Sequence, residues 1–437
     1  MLKIEIDENK IKQNYEKFKT ITNFGDNLIP VLKASSYAFG NEYMVKLLNA
    51  KKYFIYSVDE GVEIRKLDSK ADIFVLSSLM SQDADIFVKY NLIPVINSMD
   101  ELKLCPVKDI VLQFNTGMNR CGIELSEIQS IKEYTAQNKN VLMIMSHFCC
   151  ADEKEHPMNQ IQIKNFEKVA AAFPDAISCF QASDAMLNFD LKYMCNAGRL
   201  GYFLYYPQDN FVFNIKADVQ NSVLKAGLDD GLMSSWAKNG YVLVNDKKVK
   251  IKNITDTETF LEDTDGTEAI ILNQQIYPDF CDFCGSDGLE EVPRMQAKKV
   301  NKNIEGQKII QTEDALYSQI METREITSDG FVGYGATRQV KKGDKLAVVA
   351  GGYLDGIYKK LSNSGAVAWV ENTRGDFVPC EYYGKISMDQ SIVKINDDIK
   401  VGAKVIIYDK DHPIKDIGIS KKEMFYMLDK SERVRHA

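Results

Sequence analysis

Hydrophobic and polar positions follow two different rhythms along the chain. Up to about residue 207, short apolar runs alternate with stretches whose apolar side chains recur at three- and four-residue spacing. Residues 2–6 alternate like a strand. Ile11, Tyr15, Phe18 and Ile21 then share one face of a helix over 8–22, which Asp7 can cap. Residues 28–32 are almost continuously apolar, as parallel strands covered on both faces are. A helix over 42–51 follows. The couple recurs, with strands at 53–57, 72–76, 92–96, 110–114, 141–145, 176–180 and 197–204. Helical patterns lie at 61–67, 81–90, 99–103, from near Ser126, at 159–172 and at 185–191. About eight such units predict an α/β fold with an N-terminal (β/α)8 TIM barrel, whose chemistry sits on the loops after the strands. Lys33, Arg120, His147, Ser183 and Arg199 all fall at or just after strand ends, so one fold would bring them to one face.

After Pro207 the pattern changes to short strands and turns, at 242–244, 248–251, 269–272, 346–349, 366–370, 391–395 and 404–408. These predict a C-terminal antiparallel β domain, closed by a helix near 421–428. A faint repeat runs through this half. Gly227-Leu-Asp-Asp-Gly231 parallels Gly352-Tyr-Leu-Asp-Gly356, and the strands that follow keep the same offset of 125 (227 to 352, 240 to 365). The division expected is a barrel over 1–209, an inserted degenerate β segment without catalytic residues over 210–312, and the C-terminal β domain over 313–437. Residues 1–7 are available to join the β domain.

Composition narrows the partners. The 437 residues are 45% hydrophobic and 27% charged, with a net charge of −8, which argues against a broad basic surface for nucleic acid or anionic membrane. No apolar run approaches a membrane span, and the N-terminus lacks the apolar core of a signal peptide. Nine scattered cysteines, an odd number, fit reduced thiols in a cytoplasm. Cys281-Asp-Phe-Cys284 lacks the second pair a structural zinc wants, and the four histidines are dispersed, so no metal site is expected.

The candidate chemistry centres on Lys33. An ammonium at the mouth of a buried strand is costly, and burial favours the neutral amine, the nucleophile a carbonyl cofactor needs. The plainer reading is a lysine that snorkels to solvent. Five further stretches bear on the choice: Asn115-Thr-Gly-Met-Asn-Arg-Cys-Gly122, Ser146-His-Phe-Cys-Cys-Ala-Asp152, Gly198-Arg-Leu-Gly-Tyr202, Gly333-Tyr-Gly-Ala-Thr337, and Gly352-Tyr-Leu-Asp-Gly356 with Gly384-Lys-Ile-Ser-Met-Asp-Gln390.

With Val31-Leu-Lys-Ala-Ser-Ser-Tyr-Ala-Phe-Gly40, these stretches in this order resemble the alanine racemase family of pyridoxal 5'-phosphate enzymes, over residues 1–207 and about 319–412. The resemblance implies that Lys33 holds the cofactor covalently and that Tyr37 contacts its phosphate. Ser183, Gly201, Tyr202 and, more loosely, Tyr426 would complete the phosphate site. Arg199 would lie under the pyridine nitrogen, with His147 close by. Arg120 would bind the substrate carboxylate, Met388 would touch substrate through its backbone, and Tyr353 would line an inner gate. Racemisation needs a base on each face of a planar α-carbon. The resemblance supplies Lys33 on one face and Tyr334, from the partner subunit of a homodimer, on the other. The expected reaction interconverts L- and D-alanine for peptidoglycan. A larger or basic amino acid, or a non-catalytic cofactor-binding barrel, are the alternatives. Three departures stand out. Asp184 lies where a serine usually meets the phosphate, and Gln113 lies where a lysine often braces the carboxylate-binding arginine. Lys359 stands for a gate arginine near Asp152.

Overall fold

The computed structural model describes residues 3–37, 39–206, 210–279, 310–312 and 315–413. Tyr426, the Cys281–Cys284 pair and the expected helix at 421–428 lie outside the described residues. The helix Glu8–Thr22 starts where its pattern places it. Asp7 accepts a hydrogen bond from the Lys10 N–H at 3.1 Å, and Ile11, Tyr15 and Phe18 are buried.

Eight parallel strands then close into a barrel. Leu28–Pro30 pairs with Gly198–Leu200 on one side and meets Lys52–Ile55 on the other through the Val31–Phe54 bridge. Asp72–Val75, Ile93–Ile96, Asp109–Gln113, Asn140–Met145 and Ile177–Cys179 follow in sequence order. The last of these breaks at Phe180 and resumes as Gln181–Ala182, which meets Gly198–Leu200 and completes the ring. The apolar run at 197–204 divides differently from the expectation. Only Gly198–Leu200 is strand, and Tyr202–Tyr205 is one helical turn. A short apolar run does not distinguish a buried strand from a buried helix, and the backbone turns at Gly201.

The second half contains two closed antiparallel barrels of six strands each. In the first, Phe213–Gln220 pairs with Val223–Leu224 and Glu268–Leu272, and the ring continues through Thr259–Leu261, Lys247–Ile254 and Tyr241–Val244. The N-terminal strand Lys3–Ile6 adds to Phe213–Gln220 and so ties this ring to the start of the chain. In the second, Ala315–Glu325 takes the corresponding place. It pairs with Lys345–Ala350 and Lys404–Tyr408, and the ring runs through Gln390–Ile395, Phe377–Glu381 and Val367–Glu371, closed by the Tyr382–Val393 bridge. Residues 310–312 add to Ala315–Glu325 as Lys3–Ile6 adds to Phe213–Gln220. The second ring carries an extra hairpin, Gly330–Val332 with Arg338–Val340. No described helix is long and apolar enough to cross a membrane.

Candidate active site

The strand Leu28–Pro30 delivers Lys33 to the barrel mouth through an unusual turn. Ala34, Ser35, Ser36 and Tyr37 have φ of 57°, 52°, 56° and 54°, a left-handed turn built without glycine. Side-chain sterics disfavour this conformation, so its neighbours must hold it. The Glu60 carboxylate accepts the Ser35 N–H at 3.2 Å, and the Leu32 carbonyl accepts the Ser36 N–H at 3.0 Å. The Ser36 hydroxyl donates to Asn41 Oδ1 at 2.7 Å. Glu60 also accepts from the N–H groups of Tyr56 and Ser57 at 2.9 and 3.0 Å. Its burial nevertheless raises its pKa to about 7.

Lys33 is not the free neutral amine that burial alone predicts. Its Nζ lies 2.6 Å from Asp389 Oδ2, with both side chains mostly buried. Burial opposes the charge, but the Asp389 carboxylate, assisted by Tyr37 and Tyr334, outweighs it and holds the ammonium above its ordinary range. Asp389 is a site residue that the sequence reading passed over. It stood inside the quoted Ser-Met-Asp-Gln stretch, next to Met388, without a role.

Near enough to Lys33 to feel its charge, three residues form a hydrogen-bonded chain. Arg199 Nη2 lies 3.0 Å from His147 Nδ1, and His147 Nε2 lies 2.7 Å from the Tyr334 hydroxyl. Guanidinium can only donate, so Nδ1 accepts and the imidazole proton sits on Nε2, aimed at the phenol oxygen. Burial first, then Arg199, Arg120 and Lys33, push the His147 pKa well below its ordinary value, so the ring is neutral. Arg199 is fixed by donating to the carbonyls of Cys179 and Ser146 at 2.9 and 2.8 Å. The Arg120 guanidinium lies 5.1 Å over the Tyr334 ring, and its Nε is buried without a partner. No described hydrogen bond joins Gln113 to Arg120, whose orphan donor suits an incoming carboxylate.

Tyr334 reaches this position from its own chain, where a partner subunit was expected to supply it. Its turn docks on the barrel loops through main-chain contacts. Gly333 N–H donates to the Met118 carbonyl at 2.9 Å, and Gly335 N–H donates to the Cys149 carbonyl at 2.7 Å. Asn119 Nδ2 donates to the Phe331 carbonyl at 2.8 Å. Gly333 and Gly335 have φ of +72° and +70°, a region that L side chains rarely adopt.

The remaining candidates divide into two groups. Tyr37, Gly201 and Ser183 gather at one end. A Cβ on Gly201 would sit 2.5 Å from the Tyr37 hydroxyl, and Ser183 Oγ accepts the Phe203 N–H at 3.4 Å. This is a cradle of a phenol, a hydroxyl and the start of the Tyr202–Tyr205 turn, which suits a phosphate. The Tyr202 hydroxyl bonds that of Tyr277 at 3.0 Å, a residue without a role in the sequence reading. Asp184 is partly buried beside this cradle, and burial, with Asp152, raises its pKa. Tyr353 and Met388 are buried on the second β barrel, where the Tyr353 N–H donates to the Ser387 carbonyl at 3.0 Å and Lys359 Nζ lies 5.7 Å over the Tyr353 ring. Among the described residues, no three histidine, cysteine or acidic side chains are grouped to hold a metal ion.

Known proteins resemble this chain in family and in fold. The family model described as alanine racemase, N-terminal domain, matches residues 6–209, and that of the C-terminal domain matches residues 315–430. The first β barrel lies between the two matches. An alanine racemase of Rhizobium meliloti is 22% identical over 424 residues, covering 91% of this chain and 86% of the relative. One of Rickettsia prowazekii is 24% identical, covering 90% and 87%. Among solved structures, alanine racemase of Clostridium difficile 630 in complex with cycloserine has a TM-score of 0.61 at 20% identity, covering 68% of this chain and 94% of that one. The Acinetobacter baumannii alanine racemase has a TM-score of 0.58 at 18% identity, with 67% and 97% covered.

Proposed function

We propose that this chain, which belongs to the alanine racemase family, interconverts L- and D-alanine with pyridoxal 5'-phosphate by exchanging the α-proton between two bases, Lys33 and Tyr334. The observation that supports the reading is the chain Arg199–His147–Tyr334 close to the Lys33–Asp389 pair and beside the orphan donor of Arg120. The cofactor would be held by Lys33, by Tyr37, Gly201 and Ser183 at its phosphate, and by Arg199 at its ring. When bound, it draws electrons away from the substrate α-carbon.

The chain's own residues manage the protons. His147 donates through Nε2 to the Tyr334 oxygen and so fixes where the phenol sits, while Arg199 keeps the imidazole in that tautomer. A guanidinium has no acceptor atom, so Arg199 serves only as a donor. Arg120 anchors the substrate carboxylate and fixes which face of the α-carbon meets Tyr334. Lys33, released from Asp389, serves the other face. Lys359, near Tyr353, puts positive charge at the entrance, which disfavours a basic amino acid relative to alanine. The D-alanine would enter peptidoglycan synthesis in the cytoplasm.

Incubation of the purified protein with L-alanine in deuterium oxide tests the proposal. The expected result is deuterium at the α-carbon together with D-alanine. Tyr334→Phe should lower racemisation by about 10²–10⁴-fold while pyridoxal phosphate still binds. Wild-type protein that binds the cofactor but exchanges no α-proton, from alanine or from lysine, would make the chain a non-catalytic binder.

A further inference from the structure

Resting on the reading above, we infer that the chain carries its own substitute for a partner subunit: the second β barrel, 315–408, is a duplicate of the first, 213–272, and completes the active site of the same chain. Each chain is then a full catalytic unit.

The duplication is visible bond by bond. In the first barrel, Gly227 N–H donates to Asp230 Oδ2 at 3.1 Å; in the second, Gly352 N–H donates to Asp355 Oδ2 at 2.9 Å. Leu228 N–H donates to the Thr255 carbonyl at 2.9 Å, as Tyr353 N–H donates to the Ser387 carbonyl at 3.0 Å. Thr255 Oγ1 donates to the Glu258 carbonyl at 2.9 Å, and Ser387 Oγ donates to the Gln390 carbonyl at 2.7 Å. Thr259 Oγ1 reaches the Ala226 carbonyl and Ser391 Oγ the Gly351 carbonyl, each at 2.8 Å. A Cβ on Gly227 would strike the backbone of Thr255 and Asp256, and one on Gly352 that of Ser387 and Met388. Strand order and the added N-terminal strand also agree.

The copies differ where the chemistry is. Between Gln220 and Val223 the first copy has only the tight turn Asn221-Ser222. At the same point, between Glu325 and Lys345, the second carries the hairpin that bears Tyr334. The loop Ser387-Met388-Asp389-Gln390, which supplies Asp389, is Thr255-Asp256-Thr257-Glu258 in the first. The first barrel is therefore left to structure. It is tied to the (β/α)8 barrel by the Lys3–Ile6 pairing and by an Asp7 N–H bond to the Val212 carbonyl at 2.8 Å. The second copy covers the mouth. Arg324 donates to Glu124 at 3.0 Å and to the Gly122 carbonyl at 2.9 Å, while Phe331 and Tyr334 pack on Met118, Cys149 and Met158. Met321, Val348 and Ala350 pack on Met80. The family resemblance gives this covering role to a second subunit; here one chain fills it.

Two measurements test the inference. Lys33→Ala and Tyr334→Phe chains, carrying different tags, are co-expressed and assayed. Sites completed within a chain restore no racemisation. Sites shared between chains recover about a quarter of wild-type activity by random pairing, which would overturn the inference. Independently of activity, a refolded 1:1 mixture of 15N-labelled and unlabelled wild-type chains is chemically cross-linked. Links between the Met118–Gly122 loop and the Phe331–Arg338 hairpin should join only like-labelled peptides. Mixed pairs would refute completion within one chain even if the protein racemised nothing, an outcome that would instead refute the proposed function alone.

Discussion

Substitution of Ser35 by glycine isolates the left-handed turn that presents Lys33. Ser35 has φ 52° and ψ 48°, and its hydroxyl makes none of the described hydrogen bonds, so the change removes little except the Cβ. A left-handed L-residue costs about 1–2 kcal/mol, which glycine relieves. Glycine also widens the unfolded ensemble, at a cost of about 0.4–1 kcal/mol. The net expectation is a gain of about 0.5–1 kcal/mol, read as a higher urea midpoint at unchanged m. Ser35→Ala should match wild type, and Ser35→Val should lose stability, because branching at Cβ makes positive φ worse. The contacts that orient Lys33, from Leu32, Glu60 and Asn41, all remain, so covalent capture of pyridoxal phosphate should be within about twofold of wild type. A Ser35→Gly protein less stable than Ser35→Ala would refute the turn, since glycine is favoured over alanine only where φ is positive.

Two other perturbations address the cradle and its support. Gly201→Ala places a methyl 2.5 Å from the Tyr37 hydroxyl and forces it aside; cofactor affinity should fall at least about tenfold, or about 1.4 kcal/mol, by fluorescence titration, and an unchanged affinity would remove Tyr37 from the phosphate site. Glu60, with its pKa raised to about 7, binds its proton more tightly folded than unfolded. Its contribution, about 3 kcal/mol, is therefore present below pH ~4.5 and lost as pH rises through ~7. Denaturation curves across this window should slope less steeply for Glu60→Gln than for wild type.

Much of the barrel was legible because buried parallel strands leave unbroken apolar runs, and the reactive residues stand just beyond them. Lys33, His147 and Arg199 meet for that reason. The left-handed turn was not legible, since alanine and serine carry no preference for it and its support, Glu60, comes from the next strand–helix unit. The duplication was half legible. Gly227 and Gly352 persisted because any Cβ there would strike backbone, and Asp230 and Asp355 because each caps its own turn. The fixed offset failed at the first hairpin, which is joined by Asn245-Asp246 in one copy and by a longer loop, 372–376, in the other. Thr255 therefore corresponds to Ser387, and a comparison at constant spacing lost the match. Nothing in a β sequence states which barrel its ring will cover, so the provenance of Tyr334 could be seen only in three dimensions.

That provenance gives Asp389 a double task. Its carboxylate lies 2.6 Å from Lys33 Nζ, so it both tethers the second β barrel to the mouth and holds the amine charged. A charged amine cannot attack a carbonyl, and each capture of the cofactor must first break this pair. Asp389→Asn should therefore move the pH profile of capture downward, because the raised lysine pKa loses its chief support while burial still opposes the charge. Mixing cofactor-free protein with pyridoxal phosphate and following absorbance across pH 6–10 reads this directly; at least about a tenfold faster capture near pH 7 is expected. The same substitution loosens the tether. The pair retains some solvent contact, so the loss should fall below the roughly 3–5 kcal/mol of a fully buried broken pair. If capture by Asp389→Asn followed the wild-type pH profile, the carboxylate would be a tether only, and some other group would set the charge on Lys33.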